Sequence, residues 1–298
     1  QHRGEHPART LPTDHAPCRP FHDVQMLVDG PVAASLGLLA RERWQIATGE
    51  RIESKTVDSD PWPKSLSPHV SGVRVAIART IPQWEDRAPV REIQRLIIDL
   101  FRAARRCIYI ETQYLTSKAL THALCELLSQ RDGPDVVMIL HPNSDGWLEQ
   151  HTMDVLRGRV LKQLRTADRY HHLALYYPAL PDLKGQCISV HSKVCVVDDT
   201  CLRIGSANMS NRSLGFDTEC DLAIEASGDA KVESAIAAFR NHLLAEHLDV
   251  APKEVALELH RHLEGPTERH ERPRLPDPGC DDGPPAGAVP EHVPGNFR

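Results

Sequence analysis

The apolar pattern of this chain changes period again and again. Short runs that are apolar throughout, or alternate every second residue, are followed by longer stretches whose apolar positions recur every three to four residues. The first pattern suits a strand and the second an amphipathic helix, so strands and helices are expected to alternate. VRVAIART (73–80) predicts a strand, Ile93, Leu96, Ile97, Leu100 and Phe101 mark one face of a helix, and CIYIETQYL (107–115) predicts a buried strand. THALCELLSQ, DVVMIL, a helix over residues 146–167 and HLALYYP continue the cycle. ISVHSKVCVVDD and CLRIGSAN predict two strands joined at Asp198-Asp199, and DLAIEA (221–226) with a helix over residues 231–246 closes it. Such an order predicts an α/β fold, a mixed sheet sandwiched between two layers of helices.

The ends of the chain read differently. Residues 1–20 are rich in Pro, His and Arg and show no period. FHDVQMLVDG alternates and predicts a strand closed by the Asp29-Gly30 turn, and the stretch from Pro31 to Gly49 predicts a helix. Residues 51–70, with Pro61, Pro63 and Pro68, read as a linker that separates 1–50 from 71–250. Residues 251–298 hold nine of the 23 prolines and are expected to form a poorly ordered tail. The chain has 298 residues, with 41% hydrophobic and 26% charged, which is ordinary for a globular protein, and no apolar run approaches the roughly 20 residues of a membrane-spanning helix. A net charge of −6 supplies no global basic field, which disfavours nucleic acid as a partner. The eight cysteines contain no C-x-x-C pair, and Cys107, Cys187, Cys195 and Cys201 lie in or beside apolar strands, so a reducing compartment is expected. The first residue is Gln1, nothing near it has the basic-then-apolar order of a signal peptide, and the true start of the gene is expected upstream.

Chemistry is concentrated in VHSKVCVVDDTCLRIGSANMSNRS, where His191, Lys193 and Asp198 stand in the order H-x-K-x-x-x-x-D. On a strand, His191 and Lys193 share a face and can converge on one ligand, for which a phosphate is suited. Lysine supplies a point charge for a non-bridging oxygen, and a neutral imidazole attacks phosphorus or passes a proton to a leaving oxygen. Gly205, Ser206 and Asn208 follow, with a hydroxyl and an amide able to donate to phosphate oxygens. Glu219 is expected to hold the imidazole in one tautomer, and Asp198, just before a turn, is the least committed member.

At these residues the sequence resembles the phospholipase D superfamily, whose signature is H-x-K-x-x-x-x-D followed by G-S-x-N. FHDVQMLVDGPVAASLGLLARERW looks like the segment after the first motif in two-motif bacterial members, IYIETQYLTS like the I-Y-I-E-N-Q-Y-F segment before the second, and GFDTECDLAIEA is also similar. The resemblance implies the phospholipase D type of α/β/α sandwich, with this chain as the C-terminal half of a pseudo-twofold protein and residues 1–50 as the last strand and helix of the other lobe. It implies hydrolysis or transphosphatidylation of phospholipids through a phosphohistidine, with no metal or other cofactor. Implied partners are a phospholipid, a peripheral membrane contact, and either the missing N-terminal lobe or a second copy. Implied locations are the cytoplasm or the face of the inner membrane. Only one H-x-K-x-x-x-x-D is present, and by position it matches the family's second, whose histidine resembles a general acid and base. Thr112 stands where the family more often has Asn. The alternatives are a nuclease or other phosphodiesterase of the same superfamily, or a structural or regulatory half unable to turn over alone.

Other residues carry two readings each. Glu111 and Gln113 end a buried strand and either reach the pocket rim or serve the strand. His22-Asp23 reads as a structural strand start rather than a catalytic dyad. His141 and Asn143 line the mouth or cap a loop, and His171-His172 are expected on a solvated turn. Arg212 neutralises phosphate or pairs with a surface acid.

Overall fold

A strand that runs through the middle of a sandwich is covered on both faces, and Cys107–Thr112 is buried at every position. Its side chains alternate between two cores: Ile108 and Ile110 enter one, Tyr109 the other. The computed structural model in which this is seen describes residues 20–54, 61–141, 155–178 and 188–264. Its elements in chain order are β1 (Phe21–His22), α1 (Gly30–Thr48), β2 (Val75–Ile81), β3 (Val90–Arg91), α2 (Glu92–Ala103), β4 (Cys107–Thr112), α3 (Lys118–Leu128), β5 (Asp135–Leu140) and α4 (Val155–Ala167). There follow β6 (Leu173–Tyr176), β7 (Ser189–Val190), β8 (Val194–Val197), β9 (Cys201–Gly205), α5 (Asn211–Gly215), β10 (Glu219–Glu225), α6 (Ala230–Leu248) and α7 (Pro252–Glu264).

Eight strands form one mixed sheet in the order β3-β2-β10-β9-β8-β4-β5-β6, with β4, β5 and β6 parallel and the other pairings antiparallel. Helices α2, α3 and α4 cover one face through Ile97, Phe101, Leu124, Leu128 and Leu164; α6 and α7 cover the other through Val232, Ile236, Leu243 and Val255. The expected α/β/α sandwich is the fold observed. Ser117 and Asp229 cap α3 and α6 by accepting backbone N–H bonds, which ends each preceding loop.

Three expectations change. FHDVQMLVDG is a strand only at Phe21–His22, because the partner it meets, β7, is itself two residues long. The run ISVHSKVCVVDD is not one strand either: Ser189–Val190 pairs with β1, Val194–Val197 joins the large sheet, and residues 191–193 connect the two. Past residue 250 the chain forms α7, because Val255 and Leu259 fall four residues apart and pack on the α6 side. Residues 1–19, 55–60, 142–154, 179–187 and 265–298 lie outside the described residues, and with them part of the expected linker, Asn143, Cys18, Cys187, Cys280 and the first turns of the helix expected from 146.

Asp198 is fixed by this architecture. At the turn between β8 and β9 it adopts φ 49°, and its carboxylate accepts the backbone N–H groups of Arg105, Arg106 and Cys107 at 2.8, 2.7 and 2.9 Å. That ties the β8–β9 turn to the start of β4, where Ile108 pairs with Val197. Replacing Asp198 by Ala leaves three buried or half-buried donors without an acceptor and is expected to lower stability by about 3 kcal/mol. Urea denaturation measures this, and a loss under about 1 kcal/mol would remove Asp198 from its role as a tie.

Candidate functional site

Strand register brings the chemical residues to one edge of the sheet. Glu111 near the end of β4 pairs with Val194 at the start of β8, Val194 with Ile204 near the end of β9, and Gly205 with Asp221 near the start of β10. His191, Lys193, Ser206, Asn208 and Glu219 flank those positions, outside the carboxyl ends of the parallel strands β4, β5 and β6, where open α/β sheets place their ligands. Asp198 lies at the opposite end of β8 and does not join them.

His191 sits where the chain passes from the small ladder to the large sheet. Its backbone N–H donates to the His22 carbonyl at 2.8 Å, its ring stacks on Phe21 with centroids 5.3 Å apart, and its Nδ1 lies 3.4 Å from Asp23 Oδ2. The imidazole is 44% exposed, so it is held from one side and open to solvent from the other. A carboxylate beside Nδ1 favours the Nδ1–H tautomer and leaves the lone pair on Nε2. Glu219, expected in this role, bonds elsewhere: Ser206 Oγ donates to its Oε2 at 2.5 Å, and Ser213 also hydrogen-bonds to it. The carboxylate that faces His191 is Asp23, 168 residues away in sequence. His22-Asp23 is therefore more than the start of a strand.

Lys193 is buried, and its ammonium donates to the His191 carbonyl. Burial pulls its pKa down to about 8, against the attraction of Asp23 and Glu219 and with the repulsion of Arg203. Glu219 shifts the other way: burial raises it above the usual carboxylate range, opposed by the hydroxyls of Ser206 and Ser213 and reinforced by Asp221 and Asp217. The turn that follows β9 is built on a fully buried ion pair. Arg203 donates through Nε to Asp221 at 2.7 Å, its Nη2 bonds the Ala207 carbonyl at 2.6 Å, and Asp221 Oδ1 accepts the Ala207 N–H at 3.1 Å. Gly205 is required where this carboxylate passes, since a Cβ there would lie 1.9 Å from Asp221 Oδ1 and 2.6 Å from its Cα. Asn208 beyond it is buried, and its Oδ1 has no hydrogen-bond partner.

Glu111 is not on a rim. It is wholly buried, accepting from Tyr109 O–H and lying 2.8 Å from His22 Nε2 and 3.0 Å from His247 Nε2. The two imidazoles hold its pKa far below the usual carboxylate range despite the opposing desolvation, while burial and Glu111 keep the Tyr109 hydroxyl protonated. The ligand atoms of His22, Glu111 and His247 all lie within 4.8 Å of one another, the spacing of a metal site, and direct hydrogen bonds already account for that approach. Gln113 is half-buried just past the end of β4. His141 is buried, and its carbonyl accepts from Arg157 at 2.6 Å. His172 is not solvated: it is buried, with Nδ1 2.9 Å from Asp135 and Nε2 3.1 Å from the Arg131 carbonyl. Arg212 pairs with Asp217 at 2.8 Å on the surface. Among the described residues the five cysteines are thiols, and burial pushes Cys107 to about 11 and Cys195 to about 12, which leaves both unreactive.

Residues 97–243, which run from within α2 into α6 and hold His191, Lys193, Ser206, Asn208 and Glu219, match the family described as cardiolipin synthase, PLD-like domain. Cardiolipin synthase A of Yersinia pseudotuberculosis serotype O:1b (strain IP 31758) is 26% identical over 207 residues, which are 69% of this chain and 38% of that protein. Cardiolipin synthase A of Yersinia pestis bv. Antiqua (strain Angola) matches with the same figures. The chain thus spans about two-fifths of the length of these relatives. Among solved structures, phosphatidylserine synthase of Haemophilus influenzae Rd KW20 is 16% identical with a TM-score of 0.45, covering 80% of this chain and 54% of that one. The phospholipase D family member Nuc from Salmonella typhimurium is 15% identical with a TM-score of 0.43, covering 59% and 94%. With the motif residues inside it, the matched domain, residues 97–243, belongs to the phospholipase D superfamily.

Proposed function

We propose that this chain supplies one half of a site that cleaves or transfers a phosphodiester of a phospholipid through a phosphohistidine. The observation that carries this reading is the pairing of a carboxylate-backed, half-exposed imidazole with a buried lysine beside the Ser206–Asn208 turn. The cardiolipin synthase relatives and the acidic net charge favour a lipid over a nucleic acid.

In the proposed reaction, an imidazole from the second half attacks phosphorus and the phosphorus–oxygen bond to the leaving alcohol breaks. Protonated His191 gives its proton to that oxygen, then removes a proton from water or an acceptor alcohol, which attacks the phosphohistidine and frees the first imidazole. Asp23 steadies the charged His191, as a carboxylate does in hydrolytic triads. Lys193 draws a non-bridging oxygen, the Nδ2 of the Asn208 amide donates to another, and the Ser206 hydroxyl joins them when it turns from Glu219. Glu219, which His191 does not use, serves the second imidazole in this scheme, a role that its raised affinity for protons supports. Helix α1 buries none of its side chains and leaves Leu38, Trp44 and Ile46 about half exposed, which supports a covering lobe or second copy on that side. No helix among the described residues is long and apolar enough to cross a membrane, and a peripheral contact with the lipid surface fits the reading.

Three outcomes are expected. The purified 298-residue chain as a monomer hydrolyses neither phosphatidylcholine nor bis(p-nitrophenyl) phosphate; robust turnover lost in His191→Ala would overturn the half-site reading. Asp23→Asn alters the tautomer balance of His191, seen in the nitrogen shifts of its imidazole, whereas Glu219→Gln leaves it unchanged; the reverse result would restore Glu219 as the orienting group. Lys193→Met weakens binding of inorganic phosphate about tenfold without unfolding the chain, through loss of a charge-assisted bond. The folded pKa of Lys193 lies below its unfolded value, so the folded state bears the full cost of the buried charge below about pH 8 and sheds it as pH rises toward 10.5. The variant is therefore at least as stable as the parent near neutrality, and the gap closes on the alkaline side. Urea titrations across that range that show a constant gap would place the ammonium in water.

A further inference from the structure

We propose that Glu111, which touches no part of the candidate site, is a positioning residue for it, acting through His22 on the segment that holds His191. The inference rests on the reading of His191 as the reacting imidazole.

Both contacts on the His191 ring and the acceptor of its N–H come from residues 21–23: the Phe21 ring, the Asp23 carboxylate and the His22 carbonyl. Yet this segment is joined to β7 by a ladder of only two residue pairs, Phe21 with Ser189 and His22 with Val190, plus a bond from Ser189 N–H to the Pro20 carbonyl at 2.9 Å. So short a pairing is marginal alone and does not fix its own depth or rotation. Phe21 is 55% exposed and Asp23 is also exposed, so neither anchors it.

His22 does. It is 4% exposed, it points to the opposite face from its neighbours in the extended chain, and its Nε2 meets Glu111 Oε2 at 2.8 Å. Drawing His22 inward therefore turns Phe21 and Asp23 outward, to either side of His191. Glu111 is itself fixed: it lies in the fully buried β4, receives Tyr109 O–H and His247 Nε2, and stays ionised, which makes it a strong acceptor. His22 also packs edge-on against His247, with ring centroids 4.7 Å apart. Val24 and Met26 pack on the same core, so the segment remains attached when the His22 bond is lost and only its setting changes.

The test uses the full chain with isotope-labelled histidine, His191 being assigned by comparison with His191→Ala. The proportion of the neutral His191 ring in the Nδ1–H form is read from its nitrogen shifts, beside a thermal melt. His22→Leu is expected to lower the ratio of Nδ1–H to Nε2–H forms about fivefold, the effect of one ordinary hydrogen bond. His22→Gln, whose amide nitrogen takes the place of Nε2 and still donates to Glu111, is expected to restore it. Glu111→Gln is expected to match His22→Leu, and carries the same expectation if leucine at position 22 prevents folding. A parent-like ratio in folded His22→Leu or Glu111→Gln would overturn the proposal, as would equal losses in His22→Leu and His22→Gln, which would mean that ring packing alone matters. None of these readouts needs turnover, so failure of the phosphodiester reading, seen as an active enzyme indifferent to His191→Ala, leaves this result standing and separately readable.

Discussion

A strand that leaves one ladder for another must hand its backbone polar groups to new partners, and this chain does so across His191, Ser192 and Lys193. Before the crossing, the His191 N–H goes to His22; after it, the Lys193 carbonyl accepts the Gly205 N–H at 3.2 Å. The two bonds tie one irregular segment to the amino-terminal strand on one side and to the G-S-x-N turn on the other. The side chains of a regular strand would have met identical surroundings on one face. Released from the ladder, His191 keeps 44% of its side chain exposed while Lys193, two residues on, is buried. In the proposed reaction the imidazole exchanges protons and the ammonium stays cationic beside a phosphate, and that difference in exposure suits both.

The turn beyond Gly205 depends on a second constraint, the Arg203–Asp221 pair, both of whose side chains are fully buried. Two charges removed from water gain little net stability, since desolvation offsets most of their attraction. What the pair supplies is direction. Arg203 spends one donor on the Ala207 carbonyl and Asp221 one acceptor on the Ala207 N–H, so both backbone polar groups of a single residue are held by the ion pair. Ser206 and Asn208 on either side are thereby carried by a fixed backbone, a better support for anion-binding groups than a free loop. Removing either partner would leave a buried charge alone, so a neutral residue of similar size at either position is expected to disturb the turn.

How much of this was legible in the sequence follows from the range of each interaction. The sandwich was, because periods of two and of three to four residues report burial locally, and the motif was, because His191, Lys193, Ser206 and Asn208 lie within one short run. Asp23 and Glu111 were not: their partners are 168 residues away in one case, 89 and 136 in the other, and no local spacing encodes them. Alternation in FHDVQMLVDG showed which side chains turn inward but not that the partner strand stops after two residues. Helix α7 was hidden by composition, since the prolines that dominate 251–298 fall almost entirely after Glu264 and a single one, Pro252, occupies the helix's first turn, where proline is tolerated.

The charges at the edge of the sheet make the half-site reading more than a matter of counting motifs. Lys193 feels two carboxylates, Asp23 and Glu219, and only Asp23 is committed to an imidazole of this chain. Burial raises the affinity of Glu219 for protons, its acidic neighbours Asp221 and Asp217 add to this, and its two hydroxyl partners only partly oppose it. A carboxylate in that condition is stabilised by any cation brought within a few ångströms, and an imidazolium is the cation the proposed chemistry generates. On this reading Asp23 and Glu219 play matched parts, one for the histidine of this chain and one for the histidine it meets. The second imidazole would gain an orienting acceptor, and Glu219 would gain a positive neighbour that offsets the cost of its burial. Each half would then complete the electrostatics of the other, which is a physical reason for a reaction needing two histidines to be divided between two halves of one site.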